Sequence, residues 1–170
     1  MTKQKNILIV LIILLSALTI PLISPAPAFA SGRIYWEDLT AAIKHNKTHK
    51  KFFLLDFYSA TCIYCQLMDK NVYSKKDVIN YLNSHFHPVR VNIYGTKRIL
   101  YFDGKHTTGA KLMLKFHIIG PPTEIFFSPA YKKIFVLPGY WGQKDLLLVA
   151  RWVATGKYKV ESLRKFSKSQ

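Results

Sequence analysis

The chain has 170 residues, 49% of them hydrophobic and 14% aromatic, which is enough for one domain with a sizeable core and cramped for two. Its 25 basic and nine acidic side chains give a formal charge of +16, a surface that repels basic proteins and attracts acidic partners or an anionic membrane. That charge also suits nucleic acid, but no nucleic-acid-binding motif accompanies it.

Lys3 and Lys5 precede an apolar run from Ile7 to Ile20, followed by a Pro-rich stretch and Ala28-Phe29-Ala30. This order predicts a secretory signal peptide over residues 1–30, cleaved after Ala30. A retained anchor is the alternative, although 14 apolar residues fall short of the roughly 20 that a bilayer span requires. Cleavage leaves 140 residues with a net charge of +14 and no second apolar run long enough to span a membrane, so a soluble exported domain is expected. An oxidising compartment permits structural disulfides, yet Cys62 and Cys65 are the only cysteines. A bridge closing so small a loop adds little stability, so the pair reads as chemical.

Trp36 to Lys50 reads as a first helix, with Leu39, Ala42 and Ile43 as its apolar positions. Phe52 to Tyr58 is almost continuously apolar, the pattern of a strand buried on both faces. A helix opens at the cysteines and runs through Leu67 and Met68. Ser74, followed by Asp77, reads as the N-cap of another through Val78, Ile79 and Leu82. Pro88 to Ile93 alternates as a strand with Arg90 and Asn92 on one face. Tyr94 to Thr107 reads as a loop with a short hairpin at Asp103-Gly104, and Thr108 to Phe116 as a helix ended by Gly120-Pro121-Pro122.

Thr123 to Phe127 and Lys133 to Leu137 form a hairpin by composition, and Gln143 to Ala154 an amphipathic helix ended by Gly156. The tail, residues 157–170, is basic and reads as loosely held. The domain proper therefore covers residues 31–156. Alternating elements followed by a terminal hairpin and helix predict an α/β fold, a mixed central sheet with helices on both faces.

The chemistry centres on Cys62-Ile63-Tyr64-Cys65, placed after a strand and opening a helix. The spacing lets the two sulfurs meet across the first turn. Unpaired N–H groups and the helix dipole favour the thiolate of Cys62, the nucleophile, and Cys65 then resolves the mixed disulfide. Zinc usually requires four ligands, which only His85 and His87 could help to complete. Covalent haem requires a histidine at position 66, which is Gln66. A pair holding a soft metal such as Cu(I), as in a metallochaperone, is the second reading, though the motif lacks a Met or His. The six histidines are scattered among basic and loop segments and read as solvated or capping.

Asp56 six residues ahead of Cys62, the Cys-x-x-Cys itself, and Gly120-Pro121-Pro122-Thr123 before a strand resemble the thioredoxin superfamily over about residues 36–156. Leu137-Pro138-Gly139-Tyr140-Trp141, with Lys157-Tyr158-Lys159 after the last helix, resembles more narrowly the exported SoxW-type thioredoxin-related proteins. The resemblance implies a thioredoxin-like fold and thiol–disulfide exchange in a periplasm, with a redox-active disulfide in place of any cofactor. It also implies protein clients and a membrane electron donor of the DsbD or CcdA type.

At the site it implies that Pro122 is cis and packs beside the cysteines, and that Asp56 is the buried acid behind Cys65. Ile63, Tyr64, Pro121, Pro122 and Gly139 would form the substrate surface, with Tyr140 and Trp141 either on its rim or in the core. Arg90 falls where the family often has a lysine, as the charge partner of Asp56; an ordinary surface cation is the other reading. As Arg is always charged, it is expected to hold Asp56 ionised more firmly than a lysine would. Two departures stand out: Thr61 replaces the common Trp before the first cysteine, and Pro121 lacks the N–H that this position otherwise offers a substrate backbone. Ile63 and Tyr64 supply no His or Lys to stabilise a thiolate strongly, which favours reduction or isomerisation over oxidation.

Overall fold

The structure is a computed structural model that describes residues 32–170, so the expected signal peptide lies outside the described residues. Helix α1 is Leu39–His45, shorter than its apolar pattern suggests because Asp38 caps it by accepting from the Ala41 N–H. Ahead of that cap, Glu37 pairs in parallel with Val89, so this stretch belongs to the sheet edge rather than to the helix. Strand β1 is Phe52–Tyr58, and α2 is Ile63–Met68, with Cys62 as its N-cap.

The chain continues from α2 through a wider π-type turn, Asp69–Tyr73, into α3, Lys76–His85. Ser74 is not the cap of α3. Its hydroxyl donates to the Lys70 carbonyl, and Lys75 holds the cap position. Strand β2 is Phe86–Asn92, and the short hairpin β3–β4, Ile99–Leu100 and His106–Thr107, turns at Asp103-Gly104. Helix α4, Gly109–Lys115, is capped by Thr108. Strands β5, Thr123–Phe127, and β6, Lys133–Pro138, precede α5, Gln143–Ala154.

The main sheet has the order β2-β1-β5-β6, with β2 parallel to β1 and both β5 and β6 antiparallel to their neighbours. Side chains alternate across it and build two cores. Phe53, Leu55, Phe57, Val89, Val91, Ile125 and Phe127 face α1 and α4 through Leu39, Ala42 and Leu112. Leu54, Phe86 and Phe126 face α2, α3 and α5 through Met68, Val78, Leu82, Leu146 and Ala150. The central strands β1 and β5 are covered on both faces, which explains their nearly unbroken apolar sequence. Two acids break that run, Asp56 and Glu124, and both lie on the second face.

The segment after Gly156 departs from its reading as a loose tail. Lys157–Lys159 forms a 3₁₀ turn and Leu163–Ser167 a helix, α6, capped by Ser162. Phe166 is buried in the core beside α5, and the Trp152 indole N–H donates to the Glu161 carbonyl. The basic side chains face solvent while one apolar face docks, which a charge count does not reveal.

Candidate active site

The C-terminal end of β1, the N-terminal end of β5 and the C-terminal end of β6 meet at one edge of the sheet, since Phe57 pairs with Thr123 and Thr123 with Pro138. The loops leaving these ends carry Cys62, Pro121-Pro122 and Gly139. Cys62 and Cys65 form a disulfide with Cα atoms 5.2 Å apart. Cys62 is half-buried, whereas Cys65 lies on the inner side of α2 with 4% of its surface exposed. The Cys65 backbone N–H donates to the Cys62 sulfur at 3.0 Å, so the first sulfur occupies the place of an N-cap acceptor.

Around the disulfide the surface is apolar. Ile63 is 70% and Tyr64 61% exposed, and the Tyr64 ring lies 6.5 Å from that of Tyr140. The peptide bond between Pro121 and Pro122 is cis. Gly139, at φ +85°, donates its N–H to the Pro122 carbonyl at 2.8 Å, which ties the β6 exit to the proline loop. Thr123 adds a hydroxyl bond to the Gly120 carbonyl at 2.8 Å, and the Trp141 indole donates within its own loop to the Pro138 carbonyl. Thr61 is exposed, and its hydroxyl lies 3.3 Å from that of Ser59.

Beneath α2 lies a buried charge cluster. The Arg90 Nε donates to Asp56 Oδ2 at 2.9 Å and its Nη2 to Asp69, so one guanidinium joins the strand acid to the C-cap of the cysteine helix. The guanidinium carbon lies 4.5 Å from the Trp36 ring centroid, 5.0 Å from that of Tyr58 and 5.8 Å from that of Tyr73, so three aromatic rings surround a largely covered cation. The surface-cation reading of Arg90 does not describe this environment.

Arg90 favours the ionised form of Asp56, and burial opposes it. Loss of hydration pushes the Asp56 carboxyl up to about 6 despite Arg90, with Asp69 adding to the rise.

Composition did not single out Asp69, Tyr73 or Glu124. Glu124 is fully buried, accepts from the Tyr73 hydroxyl at 2.9 Å, and pairs with Asp56 across the β1–β5 ladder. A signal was available: Glu124 is a lone acid in the apolar strand Thr123-Glu124-Ile125-Phe126-Phe127, as Asp56 is in Phe52–Tyr58.

The histidines lie elsewhere. His87 is buried rather than solvated, with its Nδ1 3.0 Å from Glu37 Oε1 and its Nε2 3.0 Å from the His49 carbonyl. It pairs with Phe53, five residues or about 16 Å along β1 from the end that leads to the cysteines. It therefore does not complete a metal site with them. Among the described residues no group of three or more His, Cys, Asp and Glu side chains is placed to hold a metal ion.

Known proteins share this arrangement to differing degrees. A thioredoxin-fold protein from Helicobacter pylori is 25% identical with a TM-score of 0.60, over 71% of this chain and 80% of its own. A thioredoxin from Thermus thermophilus is 23% identical with a TM-score of 0.60, over 71% and 87%, and a DsbH oxidoreductase 17% identical with a TM-score of 0.59, over 82% and 94%. The latter two likenesses show the fold alone. No curated protein matches the sequence. The thioredoxin-like domain family matches residues 39–153, from α1 to the end of α5, so with the cysteine pair, the proline loop and the buried acid all inside that span, the chain belongs to this family.

Proposed function

We propose that the protein is an exported thiol–disulfide oxidoreductase that reduces or isomerises disulfides in client proteins. The observation that carries this reading is the asymmetry of the disulfide: Cys62 is half-buried at the start of α2 and Cys65 is buried beneath it. In the reduced protein the Cys62 thiolate attacks a client disulfide, forming a mixed disulfide and releasing one client thiol. Asp56 takes the proton from Cys65, and the Cys65 thiolate attacks the Cys62 sulfur. The Cys62–Cys65 bond closes, the second client thiol leaves, and two electrons have passed to the client. With its midpoint at about 6, Asp56 is mostly ionised at neutral pH and able to accept that proton.

Ile63, Tyr64, Tyr140, Pro121, Pro122 and Gly139 form the surface a client chain meets, with Arg90 as the charge partner of Asp56. The signal-peptide pattern supports a periplasmic location, and an exported reductant must be recharged, which calls for a membrane dithiol donor of the DsbD or CcdA type. The motif after β6 supports a place among SoxW-type proteins.

Cys65→Ser should accumulate mixed disulfides with clients through Cys62, while Cys62→Ser should accumulate none by that route, as read on non-reducing gels after acid quenching. Equal trapping by both variants refutes the asymmetry. Insulin reduction by the wild type tests the activity itself, and tight Cu(I) binding without insulin reduction would favour the metal-binding reading instead.

A further inference from the structure

Asp56 and Glu124 face each other directly across the antiparallel β1–β5 ladder, and both carboxyls lie on the sheet face covered by the cysteine helix. Side chains so paired have Cβ atoms about 5 Å apart. Their surroundings differ. Asp56 receives a charged hydrogen bond from Arg90, whereas the side-chain partner of Glu124 is the neutral hydroxyl of Tyr73, on Oε1. Glu124 Oε2 is buried with no hydrogen-bond partner among the described residues.

The groups facing the pair are Arg90 from β2, Asp69 and Tyr73 from the turn after α2, and Leu137 from β6. The cluster thus holds three carboxyls and a single cation. Arg90 is already divided between Asp56 and Asp69, so a third negative charge on Glu124 would be buried and unpaired.

We propose that Glu124 is a positioning residue of this site: it holds a proton at neutral pH, forms a buried carboxyl pair with Asp56, and leaves Asp56 as the one base of the pair open to the proton of Cys65. Burial and the neighbouring Asp56 charge raise the proton affinity of Glu124 well above that of an ordinary carboxyl, against weaker pulls from Tyr73 and its own backbone N–H. The pair then carries one negative charge at neutral pH, with the proton on the member that lacks a cation. When Cys65 gives its proton to Asp56 both carboxyls are neutral, and release of that proton restores the single charge. The pair therefore titrates in two steps, the lower governed by Asp56 and the upper by Glu124.

This inference rests on the proposed exchange at Cys62 and Cys65, but its test does not. Infrared titration of the wild-type protein should show the C=O stretch of a protonated buried carboxyl persisting at pH 7. Glu124→Gln should lose that band, and Asp56→Asn should keep it while moving its midpoint to lower pH, because the neighbouring charge is gone. In the pH dependence of the reduction potential of the cysteine pair, Glu124→Gln should remove the alkaline inflection and retain the one near pH 6.

A neutral-pH band that survives in Glu124→Gln, or one absent from the wild type, overturns the proposal. If Glu124→Gln fails to fold, Asp56→Asn decides alone, since an unchanged midpoint there rules out the pairing. A wild type that shows the band but reduces no insulin would sink the oxidoreductase reading and leave the carboxyl pair standing.

Discussion

Asp56 carries two opposed influences, and their balance makes it useful. Arg90 and its hydrogen bond favour the carboxylate, and burial opposes it more strongly. The midpoint of about 6 lies above the ordinary value of 3.8, so the folded state binds this proton more tightly than the unfolded chain. The stability contributed by Asp56 is therefore full below about pH 4, falls as pH rises through about 6, and then levels. That difference corresponds to a loss on the order of 3 kcal/mol.

Asp56→Asn should flatten this slope in urea denaturation between pH 4 and 7, and a slope identical to wild type would show that burial does not raise the group. Glu37 acts in the opposite direction. Burial raises it, but hydrogen bonds and charge from His87 and His45 lower it further, so it stabilises above the ordinary carboxyl range in both proteins and cancels in the comparison. At this scale the cysteines were legible from residue type and spacing, and Asp56 through the family resemblance. That Glu124 and Asp69 join Asp56 was not, because which acid faces which cation depends on strand register and on how the turn after α2 folds back.

The elements followed their patterns where one physical cause dominates. Apolar runs became β1 and β5, and alternation became β2, whose polar face is explained by Arg90 reaching Asp56. Helix ends were less legible because local caps compete. Asp38 truncates α1 from within its apolar pattern, and Ser74 bonds backward to Lys70 instead of forward.

Gly109 marks a contact that no periodicity reveals. A Cβ there would stand 1.9 Å from the Asn92 carbonyl oxygen, so α4 approaches the end of β2 more closely than any side chain permits. Gly109→Ala should destabilise by about 2 kcal/mol, the overpacking cost exceeding the gain in helix propensity. Its urea midpoint should fall, and an unchanged midpoint would mean that α4 can shift away from the strand.

Over the described residues, two apolar layers hold a sheet with a polar cluster of Asp56, Arg90 and Glu124 on the face that carries the cysteine helix. On the other face, Phe53, Phe102, Phe116, Phe127 and Tyr131 form a continuous aromatic group. The C-terminal segment closes the core beneath α2, α3 and α5 through Phe166. Phe166→Ala should cost about 3 kcal/mol, the lower end for a buried Phe, because a terminal helix can detach instead of leaving a cavity. Removal of residues 157–170 should destabilise by at least as much, whereas a domain of unchanged stability would return this segment to a loose tail.

The sequence alone determined the fold class, the elements of the sheet and the cysteine pair, because hydrophobic period, turn residues and the three-residue sulfur spacing are local properties. Only the tertiary structure decided which charges meet. The Asp56–Arg90–Asp69 contacts and the Glu124–Tyr73 bond join residues separated by 21 to 51 positions, Phe166 docks into a core built from the whole domain, and burial, not sequence neighbourhood, sets the proton affinities at the carboxyls.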